Sequence, residues 1–130
     1  MEYTYQIIPE HQLVIEKITG EVTVEGLAQK TQTVFSDPQY VPTYNGIMDL
    51  RKATSAMTKV ELYGFASLIS QTEMFGQSKW AIVADDPIVV ALSTIFQQRI
   101  PDQTTIGIFC TIEAAADFIN KPEVLNYLSD

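Results

Sequence analysis

Reactive side chains are scarce in this 130-residue sequence, which holds one cysteine, Cys110, and one histidine, His11. A lone cysteine excludes an intrachain disulfide, and no Cys/His set exists from which to assemble a structural zinc site. His11 falls in a predicted hairpin turn, far from the carboxyl ends of the parallel strands, so the nucleophile, base and orienting-acid arrangement of hydrolases has no imidazole to use there. Cations are also few. Eight Lys and Arg stand against sixteen Asp and Glu, a formal charge of −8, and the resulting negative field repels phosphate backbones and anionic lipid headgroups. With no Lys/Arg cluster, nucleic acid is not an expected partner. The six glycines are scattered, with neither dinucleotide nor P-loop spacing, and no cofactor is expected. No apolar run approaches the roughly 18 to 20 residues of a membrane helix. "MEYTYQIIPEHQL" lacks the basic region and apolar core of an export signal. These absences predict a cytoplasmic, reducing location without membrane insertion.

What is present is an ordinary globular balance, 46% apolar and 18% charged, over a length that suits one domain spanning residues 1–130. "YTYQIIP" and "QLVIEKIT" alternate or carry β-branched runs around the tight turn "PEH", predicting an antiparallel hairpin whose second strand ends at Gly20. Thr23 precedes a helical pattern with Val24, Leu27, Ala28, Thr31, Val34 and Phe35 on one face, stopped by Asp37-Pro38. Strand then alternates with helix. "GIMDL", "WAIVA" and "TIGIF" read as strands, while "KVELYGFASLISQTEMF", "IVVALSTIFQQR", "IEAAADFI" and a short "PEVLNYL" read as helices. The expected fold class is therefore α/β: a single-layer mixed sheet of about five strands, an N-terminal antiparallel hairpin continuing into parallel strands, covered by four to five helices.

In open α/β sheets ligands gather outside the carboxyl ends of the parallel strands. Here that edge carries Asp49, Arg51, Asp85, Asp86, Cys110 and Thr111, the candidate ligand-binding edge. Each has a simpler role beside the functional one. Asp85-Asp86 resembles a pair for a hard cation, yet Asp86 before Pro87 is an ordinary N-cap with proline at the first helical position, so no metal is assigned. Asp49 and Arg51 share one strand face, and an ion pair between them orders the loop without catalysis. Functionally, Arg51 is the cation that would receive a carboxylate or phosphate. Cys110 has Phe109 and Thr111 as neighbours, no cation to activate it, and is expected to be buried and inert.

The order of elements, with "ITGEVTVEGL", "GIMDLRKAT", "KWAIVADDPIVVALSTIF" and "IGIFCTIEAAADFI", resembles the bacterial SpoIIAA-like proteins of the STAS/CRAL-TRIO group over nearly the whole chain. The most specific parts are the "AIVADDP…IF" and "F.T.EAA..F" blocks. The resemblance implies a STAS-like α/β sheet and a branch whose members are mostly uncharacterised. Anti-sigma-factor antagonists of the STAS group carry an Asp-Ser-(Ser/Thr)-Gly segment whose serine is phosphorylated. Here that serine position falls at Thr58, with Met57 in place of the aspartate and Lys59-Val60 in place of the hydroxyl residue and glycine, so the motif is mostly lost. Thr58 and Ser55 are the candidate phosphoacceptors, and Thr58 with Glu61 also spells a capping box.

The helix "IVVALSTIFQQR" has more apolar positions than one buried face needs. With Ile88, Leu92 and Ile95 toward the sheet, Val89 and Val90 join Tyr63 and Phe65 as a candidate homodimer or partner surface, or as the lining of a small apolar pocket. The leading expectation is a non-catalytic binding or protein–protein interaction domain. The alternative is a carrier of a short apolar ligand, in keeping with the relation to lipid-binding CRAL-TRIO domains, whose members are much larger. A phosphorylation-regulated switch comes third. A carrier requires a contiguous cavity between helix and sheet.

Overall fold

The computed structural model describes residues 1–72 and 77–130. Five strands, β1 (Glu2–Ile8), β2 (Leu13–Val22), β3 (Asn45–Ser55), β4 (Trp80–Val83) and β5 (Ile106–Phe109), lie side by side in chain order. β1 and β2 pair antiparallel around a 3-10 turn at Pro9–His11, and every later neighbour pairs parallel. The turn closes with Gln12 in the left-handed region, φ 51°. The mixed sheet predicted from the alternation of patterns is thus the sheet observed.

The helices are α1 (Val24–Phe35), α2 (Lys59–Ser70), α3 (Pro87–Arg99) and α4 (Ile112–Ile119), with a further 3-10 turn at Pro122–Asn126 where a short helix was expected. Each α-helix starts on a side chain able to take an orphan N–H. Thr23, Thr58, Asp86 and Thr111 accept from Gly26, Glu61, Ile88 with Val89, and Ala114 respectively. Parallel strands added in one direction through right-handed crossovers place α1, α2 and α3 on the same face. Among the described residues the other face is covered by α4, the turn after it and Leu128. The core is divided accordingly. Val14, Ile18, Leu50, Trp80 and Ile82 meet the three crossover helices, while Leu13, Ile15, Ile47, Ala81 and Val83 meet Ile112, Ala115, Ala116 and Ile119 of α4.

Several expected boundaries move. β2 runs past Gly20 to Val22, and β3 continues beyond the expected strand "GIMDL" through Ser55, so "RKATS", a charged and hydroxyl-rich stretch that reads as loop, is strand. Past a bulge at Lys17/Thr19, residues Thr19–Val22 pair with Lys52–Ser55 beyond the end of β4. That long-range pairing supplies the hydrogen bonds a polar segment would otherwise seek from water. α2 is shorter than the pattern suggested, and part of the remainder, residues 73–76, lies outside the described residues. α3 is rotated from expectation. Ile88 is 59% exposed and Val89 is 4% exposed, because the inward set is Val89, Leu92, Ser93 and Phe96, a helical face that includes a serine.

Candidate functional site

The predicted edge forms in part. Asp49 sits opposite Val83 at the level where β4 ends, and its side chain is buried at 3% exposure. Its Oδ1 accepts from Arg51 Nε at 2.9 Å and from Arg51 N at 3.1 Å, and Oδ2 accepts from Arg51 Nη2 at 2.9 Å. Burial opposes ionisation of Asp49, but the side-chain and backbone bonds from Arg51 outweigh it, and the carboxyl is held below its ordinary value. Arg51 also lies 3.7 Å from Asp130 Oδ1. The Asp130 carboxylate in turn accepts from the N–H groups of Ile112 and Glu113 at the start of α4. The expected ion pair is therefore present, with its guanidinium engaged on both sides.

The other edge residues do not join it. Asp86 spends Oδ2 on Ile88 N and Val89 N, both at 3.1 Å, and Thr111 Oγ1 accepts from Ala114 N at 3.2 Å. Asp85 is exposed and touches Arg51 through the electrostatic field alone, reinforcing its positive charge. Cys110 is exposed, against the expectation of burial, because β5 ends at Phe109 and the next residue already turns outward toward the α4 cap. Among the described residues no group of three His, Cys, Asp or Glu side chains is arranged to hold a metal ion. No helix among them is long and apolar enough to cross a membrane.

The phosphoacceptor candidates are both committed to structure. Thr58 Oγ1 accepts from Glu61 N at 3.1 Å while Glu61 Oε1 accepts from Thr58 N at 3.0 Å, a complete capping box. Ser55 Oγ donates to Val22 O at 2.9 Å and accepts from Met57 N at 3.2 Å, tying the end of β3 to that of β2. The candidate interface is also redistributed. Val89 and Phe65 are core residues, Val90 is half-buried, and only Tyr63 is exposed, with the Arg99 guanidinium 3.7 Å from its ring centre.

A second feature lies on the opposite face from Asp49 and Arg51. Between the sheet and α1, α2 and α3 is a cavity of about 120 Å³. Its wall is apolar apart from Glu16, Lys30, Thr31, Ser55 and Ser93, and none of the predicted edge residues lines it. Three features leave this space. Trp80 packs its ring against Gly46, Ser93 puts a small side chain on the inward face of α3, and α2 lies alongside α3. Ser93 Oγ is satisfied locally, donating to Val89 O at 2.7 Å.

One end of the cavity is charged. Glu16 on β2 and Lys30 on α1 are 2% and 8% exposed, with Lys30 Nζ donating to Glu16 Oε2 at 3.0 Å. The Tyr3 hydroxyl donates to the same oxygen at 2.9 Å. Burial foremost, and then the Glu16 charge, push the Tyr3 phenol well above its ordinary value and Tyr40 up to about 12. This pair was not anticipated. The signal was present: Glu16 alternates with Val14 and Ile18 on one strand face, and Lys30 falls between Leu27 and Val34 at helical spacing.

No family model matches the chain, and no curated protein does. Among solved structures, it is similar to an uncharacterised protein of the DUF3478 family with a SpoIIAA-like fold from Shewanella loihica PV-4, at 14% identity, covering 90% of this chain and 93% of that one, with a TM-score of 0.60. That likeness establishes the fold as SpoIIAA-like.

Proposed function

We propose that this chain is a non-catalytic binding domain whose ligand is a small, mostly apolar molecule held between the sheet and α1–α3. The observation that carries this reading is an apolar pocket of about 120 Å³, partly open to solvent, between the sheet and three helices of a small protein. Close-packed interiors leave few voids larger than a water molecule. A cavity of about 150 Å³ lined by Leu, Ile and Phe holds a benzene-sized guest, so the part of an occupant held inside this pocket is of that order. Catalysis finds no support at the strand ends, where Asp49 and Arg51 satisfy each other and Asp85 and Cys110 stand apart.

Native mass spectrometry of protein purified from its own host is the direct test. The expected result is a non-covalent organic adduct that organic solvent removes. A bare mass, together with unchanged methyl NMR resonances of the cavity residues when benzene is added, overturns the reading.

A second reading, association with a protein partner or a second copy, is supported by the outer side of α2. Val60 and Leu68 are 79% and 54% exposed, one turn before and one turn after Gly64, where a Cβ would meet nothing within 4 Å. Light scattering across a concentration series tests self-association. A strictly monomeric profile removes the homodimer.

A further inference from the structure

The sheet has two outer edges, and the chain treats them differently. β5 is four residues long, and one of its carbonyls, that of Ile106, is taken by Gln97 Nε2 at 2.8 Å. β1 is seven residues long, pairs with β2 without a register shift, and contains no proline, lysine or arginine. Among the described residues its main chain hydrogen-bonds to β2 alone. Short strands, prolines, lysines and bulges are the devices that keep a sheet edge from pairing with another chain. β1 has none of them and is a template for one more strand.

The side chains of β1 add to this. Tyr3, Tyr5 and Ile7 alternate on the face of α1–α3, each half-buried, so the row is only part-covered at the margin of the core. The two tyrosine rings stack with centroids 5.6 Å apart, and their hydroxyls donate to Glu16 Oε2 and Asp37 Oδ2. A row already held in place loses little freedom when a partner arrives. Glu2, Thr4 and Gln6 alternate on the opposite face and are exposed.

We infer that β1 is the contact between two copies of this chain, paired antiparallel with itself so that two five-stranded sheets join, on a surface separate from both the pocket and the outer side of α2. Full overlap of the seven residues puts the two-fold axis at Tyr5. Tyr5 then faces Tyr5 of the other copy, Tyr3 faces Ile7, Thr4 faces Gln6 and Glu2 faces Ile8. Aromatic and β-branched side chains meet on one face, and a polar pair meets on the other. A chain of formal charge −8 repels its own copy over most of its surface. Along this strand the single charge, Glu2, is set opposite an apolar residue, so self-pairing brings no like charges together. An unrelated extended segment has no such built-in match. One strand pair is small beside a standard interface, so the dimer is expected to dissociate on dilution.

Sedimentation velocity of the full chain over a concentration series tests this through two exposed positions. Thr4→Glu with Gln6→Glu sets like charges opposite each other twice across the junction and is expected to weaken the dimer about tenfold. Thr4→Glu with Gln6→Lys sets opposite charges there and is expected to hold it at least as tightly as the wild-type chain. Leu68→Glu, on the outer side of α2, is expected to leave it unchanged. In the wild-type chain, amide hydrogen exchange of β1 is expected to slow as concentration rises. Equal dimerisation by the two double variants, or loss of the dimer on Leu68→Glu, overturns the proposal, the second by marking α2 as the contact. A wild-type chain that stays monomeric up to about 1 mM, or whose β1 amides exchange at one rate throughout, overturns it whatever the variants do. The ligand reading stands in every case.

Discussion

Lys30 Nζ and Glu16 Oε2 are 3.0 Å apart in a part of the core that is otherwise apolar, with the Tyr3 hydroxyl on the same oxygen. Such a pair resists loss of one member far more than exchange of both, because the survivor is left as an uncompensated buried charge. Lys30→Met is expected to cost about 3–5 kcal/mol of unfolding free energy. Glu16→Gln added to Lys30→Met, which keeps an acceptor for Tyr3, is expected to recover most of it. Urea denaturation of the two singles and the double closes the cycle, and additive losses would show that the pair is not coupled.

Asp49 gives the chain an acid-side pH dependence. Its carboxyl titrates lower folded than unfolded, the Arg51 bonds prevailing over burial. The stabilisation is thus complete above the unfolded value of about 3.9 and is lost as pH falls through the folded value. Asp49→Asn is expected to lower stability at neutral pH by about 1–3 kcal/mol and to flatten the decline below about pH 4. Denaturation curves at stepped pH check both, and equal acid slopes in the two chains would exclude Asp49 as the source.

At Thr58 the cap and the phosphorylation switch separate cleanly. Thr58→Ala is expected to cost about 1 kcal/mol, whereas Thr58→Asp, itself a good N-cap, changes stability by a few tenths. If Thr58→Asp instead reshapes the amide NMR spectrum beyond α2, the residue is a switch and not only a helix starter.

Gly46 is the residue against which Trp80 lies. A Cβ at position 46 would come within 2.4 Å of the indole ring, a contact no repacking of a flexible tip relieves. Gly46→Ala is expected to destabilise by about 1–3 kcal/mol, as overpacking does, and to lower the thermal midpoint. An unchanged midpoint would mean that the cavity absorbs the displaced ring.

Much of the architecture is legible in the sequence because it is written in local chemistry. Thr23, Thr58, Asp86 and Thr111 announce four helices, and the apolar runs around Ile47, Ile82 and Ile108 announce the strands between them. Residues Arg51–Ser55 look like a loop, since only the overhang of β2, thirty residues away in the chain, makes them strand. The inward face of α3 is hard to read because Ser93 lies inside at 7% exposure while the more hydrophobic Ile88 lies outside. Glu16 and Lys30 each read singly as a solvated charge. Their meeting is a tertiary fact, and so is the space beside them.

The chain has a single tryptophan, and the fold has put it in the cavity wall. The protein's own emission is therefore an optical gauge of that chamber, red when water enters and altered when a guest displaces it. A library can be screened on unlabelled protein by colour alone.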